Sequence, residues 1–310
     1  MTKRTPGVSV LMPSYNCARY LPLAIGGVLS QSYSDLELII IDDCSTDGSR
    51  EVAAEWSRSD DRVVTVFHDK NRGPSAARNT ALASSSGTVI ALCDADDIWS
   101  PEKLGTQVEQ LRKHPEVGVI HSDSLIIDAD GTPTGQRFSS LLHGRHQKCS
   151  GELYNELCLR NFICNSTVVL RRECLEYAEG FDERLRSLED WVCWARIAKE
   201  YLFCYIEDVL IRYRVHQTSL SMNEGAMARN RVAAIRLMLD EFKDVPGRTK
   251  SRMLYTMAMS HWSMGDSRSA FREFKESAVA DPLHYRSWAR CLQILLASPA
   301  GGIHGANGRG

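Results

Sequence analysis

The sequence predicts an α/β protein: a mostly parallel sheet flanked by helices, followed by an α-helical C-terminal extension. In the first half, apolar runs of four to six residues alternate with amphipathic stretches, a pattern typical of strands alternating with helices. From about residue 223 the strand signals stop and the pattern is helical throughout. The 43% hydrophobic and 25% charged content of the 310 residues is ordinary for a globular protein.

The predicted strands of the first half are residues 8–12, 36–41, 63–67, 89–93 and 117–121. Their near-continuous apolar character is typical of parallel strands that are covered on both faces. The predicted helices between them are residues 18–29, a segment around 51–56 that Ser45, Thr46 or Asp47 caps, residues 75–83, and a helix with Ser100 as cap and Pro101 in its first position.

The second half is predicted as a polar loop over residues 130–150, strands at 167–170, 201–206 and 209–213, and a helix at 190–199. Gly265-Asp266, Ala270, Phe274 and Asp281-Pro282 fall at the offsets of one tetratricopeptide-like hairpin. We therefore predict three segments: a catalytic domain at 1–222, a helical extension at 223–300 that packs on it, and a disordered glycine-rich tail at 301–310.

Composition limits the function classes. Lys and Arg total 37 against 39 Asp and Glu, so no bulk charge favours nucleic acid or anionic lipid. No apolar stretch approaches the roughly 20 residues that a membrane-spanning helix needs, and the first strand begins too early for a signal peptide. The ten cysteines are scattered without metal-site spacing. These features predict a reduced, cytoplasmic protein.

Short acidic motifs follow the predicted strands. Pro13-Ser14-Tyr15-Asn16, Asp42-Asp43 and Asp94-Ala95-Asp96-Asp97 each come directly after an apolar run, and Glu189-Asp190 lies far downstream. Ligands of open α/β sheets bind at the carboxyl ends of the strands. Because carboxylates at the rim of a core need partners, these motifs predict a site for a metal or a cationic or hydroxyl-rich ligand.

The order and spacing of these motifs resemble the family 2 glycosyltransferases. Further segments carry the resemblance over roughly residues 6–222: Gln31-Ser32-Tyr33, Asn71-Arg72-Gly73, and Tyr213-Arg214 followed by His216-Gln217. Cys44 departs from the pattern, since glycine is common after the acidic pair. The resemblance implies the Rossmann-like GT-A fold, a nucleotide-sugar donor, a divalent metal (Mn²⁺ or Mg²⁺) and inversion at the anomeric carbon.

The resemblance also implies roles for residues of the donor side. Asp43 is expected to accept a hydrogen bond from the base, and Tyr15 with Pro13 to give the base a flat apolar contact. Asp94 is expected to lie near the ribose or to share the metal. Asn16 belongs to the same nucleotide-sugar-binding set. Arg78 is expected to reach the diphosphate or a carboxylate of the acidic turn.

Three further residues complete the expected site. Asp96 is the leading metal ligand in the DXD-like motif, and His216 is expected to complete the metal shell or to touch the diphosphate. Asp190 is the candidate general base for the acceptor hydroxyl. Trp191 and Trp194 beside it suggest an apolar platform for a sugar.

The expected reaction is sugar transfer, with UDP as the most frequent nucleotide of the family, to a glycan or lipid-linked acceptor in the biosynthesis of cell-surface polysaccharide or glycoconjugate. The helical extension is a candidate for a peripheral contact with the inner face of the membrane or with an assembly. Two alternatives stay open: a sugar nucleotidyltransferase, although residues 11–16 hold no glycine or lysine, and a non-catalytic scaffold built on the helical extension.

Overall fold

The computed structural model describes residues 5–141, 150–217, 219 and 222–297. The chain separates into two compact units, Met1–Asn223 and Glu224–Gly310. The predicted tail at 301–310 and residues 142–149 of the predicted loop lie outside the described residues. Within the described residues, no helix is both long and apolar enough to cross a membrane.

The first unit is built on one sheet. Its strands are β1 (Val8–Ser14), β2 (Leu36–Asp42), β3 (Val63–Phe67), β4 (Val89–Leu92), β5 (Ile98–Trp99), β6 (Val117–Ile127), β7 (Pro133–Arg137), β8 (Val169–Arg171) and β9 (Leu202–Arg214). Along the sheet the order is β3-β2-β1-β4-β8-β6-β9-β5, and β7 pairs with β6.

Helices follow or separate the strands. They are α1 (Leu21–Leu29), α2 (Ser49–Ser59), α3 (Pro74–Ala83), α4 (Lys103–Lys113), α5 (Phe138–Leu141), α6 (Tyr154–Leu159), α7 (Arg172–Tyr177) and α8 (Glu189–Ile197), with a 3₁₀ turn at Asn165–Thr167.

The sheet is mixed rather than purely parallel, and its longest pairing, between β6 and β9, is also parallel. Strands β3, β2, β1 and β4 run parallel, as the strand and helix alternation predicted. Strand β8 then pairs antiparallel with both β4 and β6, and β5 pairs antiparallel with β9. The parallel half places the carboxyl ends of β1, β2 and β4 at one edge, and the site is built there.

The core explains the continuous apolar runs. The first five residues of β1 and the last five of β2 are fully buried, since helices cover both faces of a parallel sheet. Leu21, Ile25 and Val28 lie on one side of α1, three or four residues apart, and pack into the same core as Val10 and Leu38.

Of the residues predicted to cap α2, the structure selects one, and the predicted start of α4 is wrong. Helix α2 begins at Ser49, and Asp47 rather than Ser45 or Thr46 accepts the hydrogen bond from its first backbone N–H, at 3.0 Å from Ser49 N. Helix α4 begins at Lys103, two residues after Pro101. The Ser100 backbone N–H donates to the Leu210 carbonyl instead, because β5 pairs with β9 immediately before the helix.

Two further predictions differ from the structure. The segment predicted as a loop over 130–150 contains β7 and α5 in its described part. The strands predicted at 201–206 and 209–213 are one strand, β9. The pairing register of β9 against β6 shifts at the polar residues between the two predicted segments, so the strand continues through them.

The second unit contains α9 (Glu224–Glu241), α10 (Gly247–Ser263), α11 (Ser267–Ala280) and α12 (Tyr285–Ala297). Helices α10 and α11 form an antiparallel hairpin, since Ser251 Oγ near the start of α10 donates to the Ser277 carbonyl near the end of α11 at 2.8 Å. Gly265 supplies the left-handed turn with φ of 81°, and Asp266 caps α11 by accepting from Ser269 N.

Gly87 lies so close to β1 that it leaves no space for a side chain. A Cβ there would lie 2.7 Å from Ser9 Oγ and 2.8 Å from Ser9 N. We expect Gly87→Ala to lower the free energy of unfolding by about 1–3 kcal/mol in chemical denaturation. The matched control is Gly26→Ala inside α1, where a Cβ meets nothing within 4 Å and helix propensity favours alanine. Equal stability of the two variants would contradict the packing argument.

Candidate functional site

The loops after β1 and β2 are bound to each other at the carboxyl edge of the sheet. Asn16 Oδ1 accepts a hydrogen bond from Thr46 N at 2.9 Å, and Asn16 N donates to Ser45 Oγ at 3.0 Å. Asn16 thus fixes the loop after β2. The Tyr15 ring beside it is 49% exposed. Pro13 is half-buried.

Asp43 holds the loop that leads into α3. Its carboxylate accepts hydrogen bonds from the backbone N–H groups of Arg72 and Gly73, at 2.9 and 2.7 Å. His68 Nδ1 lies 2.7 Å from the same carboxylate, and His68 Nε2 lies 3.0 Å from Thr80 Oγ1. Asp43 is therefore buried and rigidly oriented, and its role toward a nucleotide base stays a prediction.

Arg78 joins the acidic turn to the start of α8. Its guanidinium donates to Asp94 Oδ1 at 2.7 Å and forms an ion pair with Glu189. Burial alone would lower the pKa of Arg78, but the Asp94 and Glu189 carboxylates outweigh it and raise the pKa. Asn165 Nδ2 also donates to Asp94 Oδ1, at 3.1 Å. Of the two expected contacts of Arg78, the structure shows the one with a carboxylate of the acidic turn.

The last two carboxylates of the acidic turn point in different directions. Asp97 is fully buried, and burial raises the pKa of its carboxyl, which accepts from Arg214 N at 2.9 Å. Asp96 is partly exposed, and its Oδ2 lies 3.0 Å from His216 Nε2. The His216 ring packs on Tyr20 with 5.1 Å between ring centroids. Two of the expected ligands are therefore adjacent, although the described residues hold no cluster of three His, Cys, Asp or Glu suited to a metal.

Asp190 is held in place at the start of α8. Its Oδ2 accepts from Asn161 Nδ2 at 2.8 Å, and its Oδ1 accepts from Trp191 N at 2.7 Å. Burial, with a smaller contribution from Glu189, raises the pKa of Asp190 to about 7. Leu188, the residue before the helix, has a left-handed backbone with φ of 64°, which is strained for a bulky side chain.

The predicted sugar platform of Trp191 and Trp194 is wrong. Both side chains are at most 2% exposed. Trp191 Nε1 donates to the Leu157 carbonyl, and Trp194 packs edge-on against Phe181. The tryptophans anchor α8 in the core because helix α8 is apolar on several sides.

The structure thus brings together residues from the expected set. Asp94 and Arg78 are in direct contact, Asp96 contacts His216, and Glu189 links Arg78 to the helix that carries Asp190. Sequence reasoning missed Asn161, Asn165 and His68, because lone polar residues in loops carry no periodic signal. The sequence singled out Glu189 only as the neighbour of Asp190 and did not predict its ion pair with Arg78.

Comparison with known proteins decides the family. The family model described as glycosyl transferase family 2 matches residues 9–176, more than half of the chain. The chain belongs to the family 2 glycosyltransferases. Family membership makes it an enzyme of glycosyl transfer, and it removes the sugar nucleotidyltransferase and scaffold alternatives.

Relatives of this glycosyltransferase extend the match. One is TuaG of Bacillus subtilis (strain 168), named as a candidate teichuronic acid biosynthesis glycosyltransferase, with 31% identity over 74% of this chain and 87% of its own length. Another is the Escherichia coli UDP-Glc:alpha-D-GlcNAc-diphosphoundecaprenol beta-1,3-glucosyltransferase WfgD, with 32% identity over 70% of this chain and 80% of its own.

Solved structures confirm the GT-A fold class. Staphylococcus aureus TarS 1-349 in complex with UDP-GlcNAc superposes with a TM-score of 0.65 at 15% identity, covering 93% of this chain and 88% of that one. The mannosyltransferase PcManGT from Pyrobaculum calidifontis, in complex with GDP-Man and Mn²⁺, superposes with a TM-score of 0.62 at 20% identity over 95% of this chain and 86% of its own.

The Arg78 ion pairs predict a large loss of stability in one variant of this glycosyltransferase. Arg78→Met leaves the buried Glu189 carboxylate without its cation, so we expect the free energy of unfolding to fall by roughly 3–5 kcal/mol in denaturant titrations. In the matched control, Arg72→Met removes an exposed pair with Glu183 and should cost less than about 1 kcal/mol. The double variant Arg78→Met with Glu189→Gln should recover part of the loss, and a strictly additive loss would contradict the pairing.

Proposed function

We propose that this enzyme transfers a sugar from a UDP-linked donor, with inversion, to a hydroxyl of a glycan or lipid-linked acceptor in the biosynthesis of cell-surface polysaccharide or glycoconjugate. The observation that carries the proposal is the continuous set of contacts from Asp94 through Arg78 to Glu189, which orients the donor-side turn and the Asp190 helix together. The UDP and UDP-GlcNAc complexes of TarS and the names of TuaG and WfgD support the donor and the pathway.

The donor side lies at the carboxyl ends of β1, β2 and β4. The exposed ring of Tyr15 offers a flat face to the base, with Pro13 two residues before it, and the buried Asp43 lies in the loop after β2. Asn16 contributes by fixing that loop through Thr46. Asp94 is the carboxylate that we assign to the ribose.

Asp96 and His216 fit a divalent cation. A carboxylate oxygen and an imidazole nitrogen 3.0 Å apart, both partly exposed, are a donor pair that suits Mn²⁺ when substrate phosphates and water supply the other ligands. The Mn²⁺ bound by PcManGT supports this assignment. When bound, the cation stabilises the negative charge of the departing diphosphate.

Asp190 is the proposed base. The acceptor oxygen attacks the anomeric carbon from the face opposite the diphosphate, its proton passes to an Asp190 carboxylate oxygen, and the bond from the anomeric carbon to the diphosphate oxygen breaks. A pKa near 7 suits a base at neutral pH because the carboxylate is both ionised and basic enough to accept a proton. Asn161 and the Trp191 N–H hold the carboxylate in one orientation.

A donor screen tests the proposed function. Purified enzyme with Mn²⁺ is incubated with UDP-glucose, UDP-GlcNAc, UDP-galactose and GDP-mannose, and nucleoside diphosphate release is measured. We expect release from a UDP-linked sugar, and NMR of the transfer product should show the anomeric configuration opposite to that of the donor. Exclusive use of GDP-mannose would exclude the UDP assignment, and a product with retained configuration would exclude inversion.

The Asp96 assignment predicts a metal-dependent binding defect. By calorimetry, Asp96→Ala should weaken UDP binding far more in Mn²⁺ than in EDTA, because only the metal-bridged part of the affinity is lost. Asp130→Ala is a matched control, since Asp130 is an exposed acid that forms a surface ion pair with Arg19. Equal affinities of wild type and Asp96→Ala in Mn²⁺ would show that Asp96 is not a ligand.

The Asp190 assignment predicts a defect in turnover with donor binding intact. Asp190→Asn keeps the size and most hydrogen bonds but cannot accept the proton, so kcat should fall at least about a hundredfold while UDP affinity stays near that of wild type. The wild-type kcat should rise with pH through about 7, as Asp190 loses its proton, and this step should vanish in the variant. A wild-type rate in Asp190→Asn would place the base elsewhere.

A further inference from the structure

The last helix of the second unit, α12, leaves an apolar face uncovered. Five large side chains on it are 48% to 85% exposed: Tyr285, Trp288, Leu292, Leu295 and Leu296. Their spacing of three, four and seven residues places them on one side of the helix. The opposite side, with Ser287, Cys291 and Ile294, is buried, and α12 packs on α11. Soluble proteins rarely expose so large a contiguous apolar patch without a partner.

The exposed face of α12 has no partner among the described residues. In a tetratricopeptide array, the helix that follows α12 would pack on this side. The described residues contain no such helix, and the apolar side chains of this face are solvent-exposed. The aromatic pair Tyr285 and Trp288 is typical of side chains that lie at a membrane interface, where one end is apolar and the other is hydrated.

The positive charge of the second unit favours an anionic partner for this face. Residues 224–310 contain 13 Lys and Arg against 8 Asp and Glu, whereas residues 1–223 contain 24 against 31. After Asp281 the sequence has no acidic residue. Arg286 is exposed on α12 and its Nε donates to the Tyr285 hydroxyl at 3.4 Å, at the border of the apolar face, whereas the Arg290 guanidinium lies over the Trp262 ring, 5.6 Å from its centroid. A helix with an apolar face, a basic residue at its border and no acid binds anionic lipid in the plane of the membrane.

We propose that α12 docks on an anionic lipid bilayer, with Trp288, Leu292 and Leu295 inserted among the headgroups and Arg286 facing a lipid phosphate. At 13 residues the helix is about 20 Å long, which allows it to lie on a membrane but not to cross it. The inference is independent of the catalytic roles proposed above, because it rests on the second unit alone.

Vesicle flotation of the full-length enzyme tests this surface. We expect the wild type to float with vesicles of phosphatidylglycerol and phosphatidylcholine at low salt, and to float much less with phosphatidylcholine alone or at high salt. Leu295→Glu should weaken binding at least about tenfold, since it places a carboxylate in the inserted face. Leu23→Glu is the matched control, because Leu23 is 56% exposed on α1 of the first unit and should leave binding unchanged.

A second variant tests the contribution of Arg286 to the binding of anionic lipid. Arg286→Gln should lower the affinity for anionic vesicles about fivefold, the equivalent of roughly 1 kcal/mol, whereas Arg58→Gln on the exposed side of α2 should have no effect. Unchanged melting temperatures confirm that the variants are folded. Equal flotation of wild type and Leu295→Glu would overturn the proposal. So would a wild-type dimer that Leu295→Glu converts to a monomer in light scattering without any vesicle binding, because the face is then an interface between copies.

Discussion

The buried guanidinium of Arg78 is the interaction on which the site depends. It lies on α3, and it contacts Asp94 after β4 and Glu189 at the start of α8, residues that are 16 and 111 positions away in sequence. A buried cation needs well-placed carboxylates because its desolvation is costly, so each partner is held where the guanidinium requires it. The position of α8, and with it the position of Asp190, follows from this pairing.

The sequence was sufficient for the features that local patterns encode. The apolar runs of β1 to β4 predicted both the parallel half of the sheet and its ligand-binding edge, and the motifs after those strands predicted which side chains gather there. Pairings over long separations were not predictable, because no local pattern records them. The Asn161 contact with Asp190, 29 residues away, is one example, and the pairing of β5 with β9, which displaces the expected cap of α4, is another.

Three residues with left-handed backbones mark the same edge of the fold: Asn16, Cys44 and Leu188. Each follows or precedes a site motif, and such conformations persist in non-glycine residues only where the surrounding structure enforces them. Cys44, at φ of 66°, stands where glycine is common in the family, and the backbone explains that preference since glycine adopts this region without strain. The tryptophans beside Asp190, in contrast, have a purely structural role: their side chains are close to the site in sequence but only anchor α8 in the core.

Strand β8 fills the gap between β4 and β6 although it is synthesised after both of them. As the chain leaves the ribosome, β4 has β1 on one side and an open edge on the other until residues 169–171 emerge. An open apolar edge is a template for pairing with other chains, and domains that form during synthesis are most exposed to aggregation in this interval. The antiparallel insertion therefore makes the sheet of this enzyme close late, and its N-terminal half depends on a segment some 80 residues downstream of β4 for a complete core.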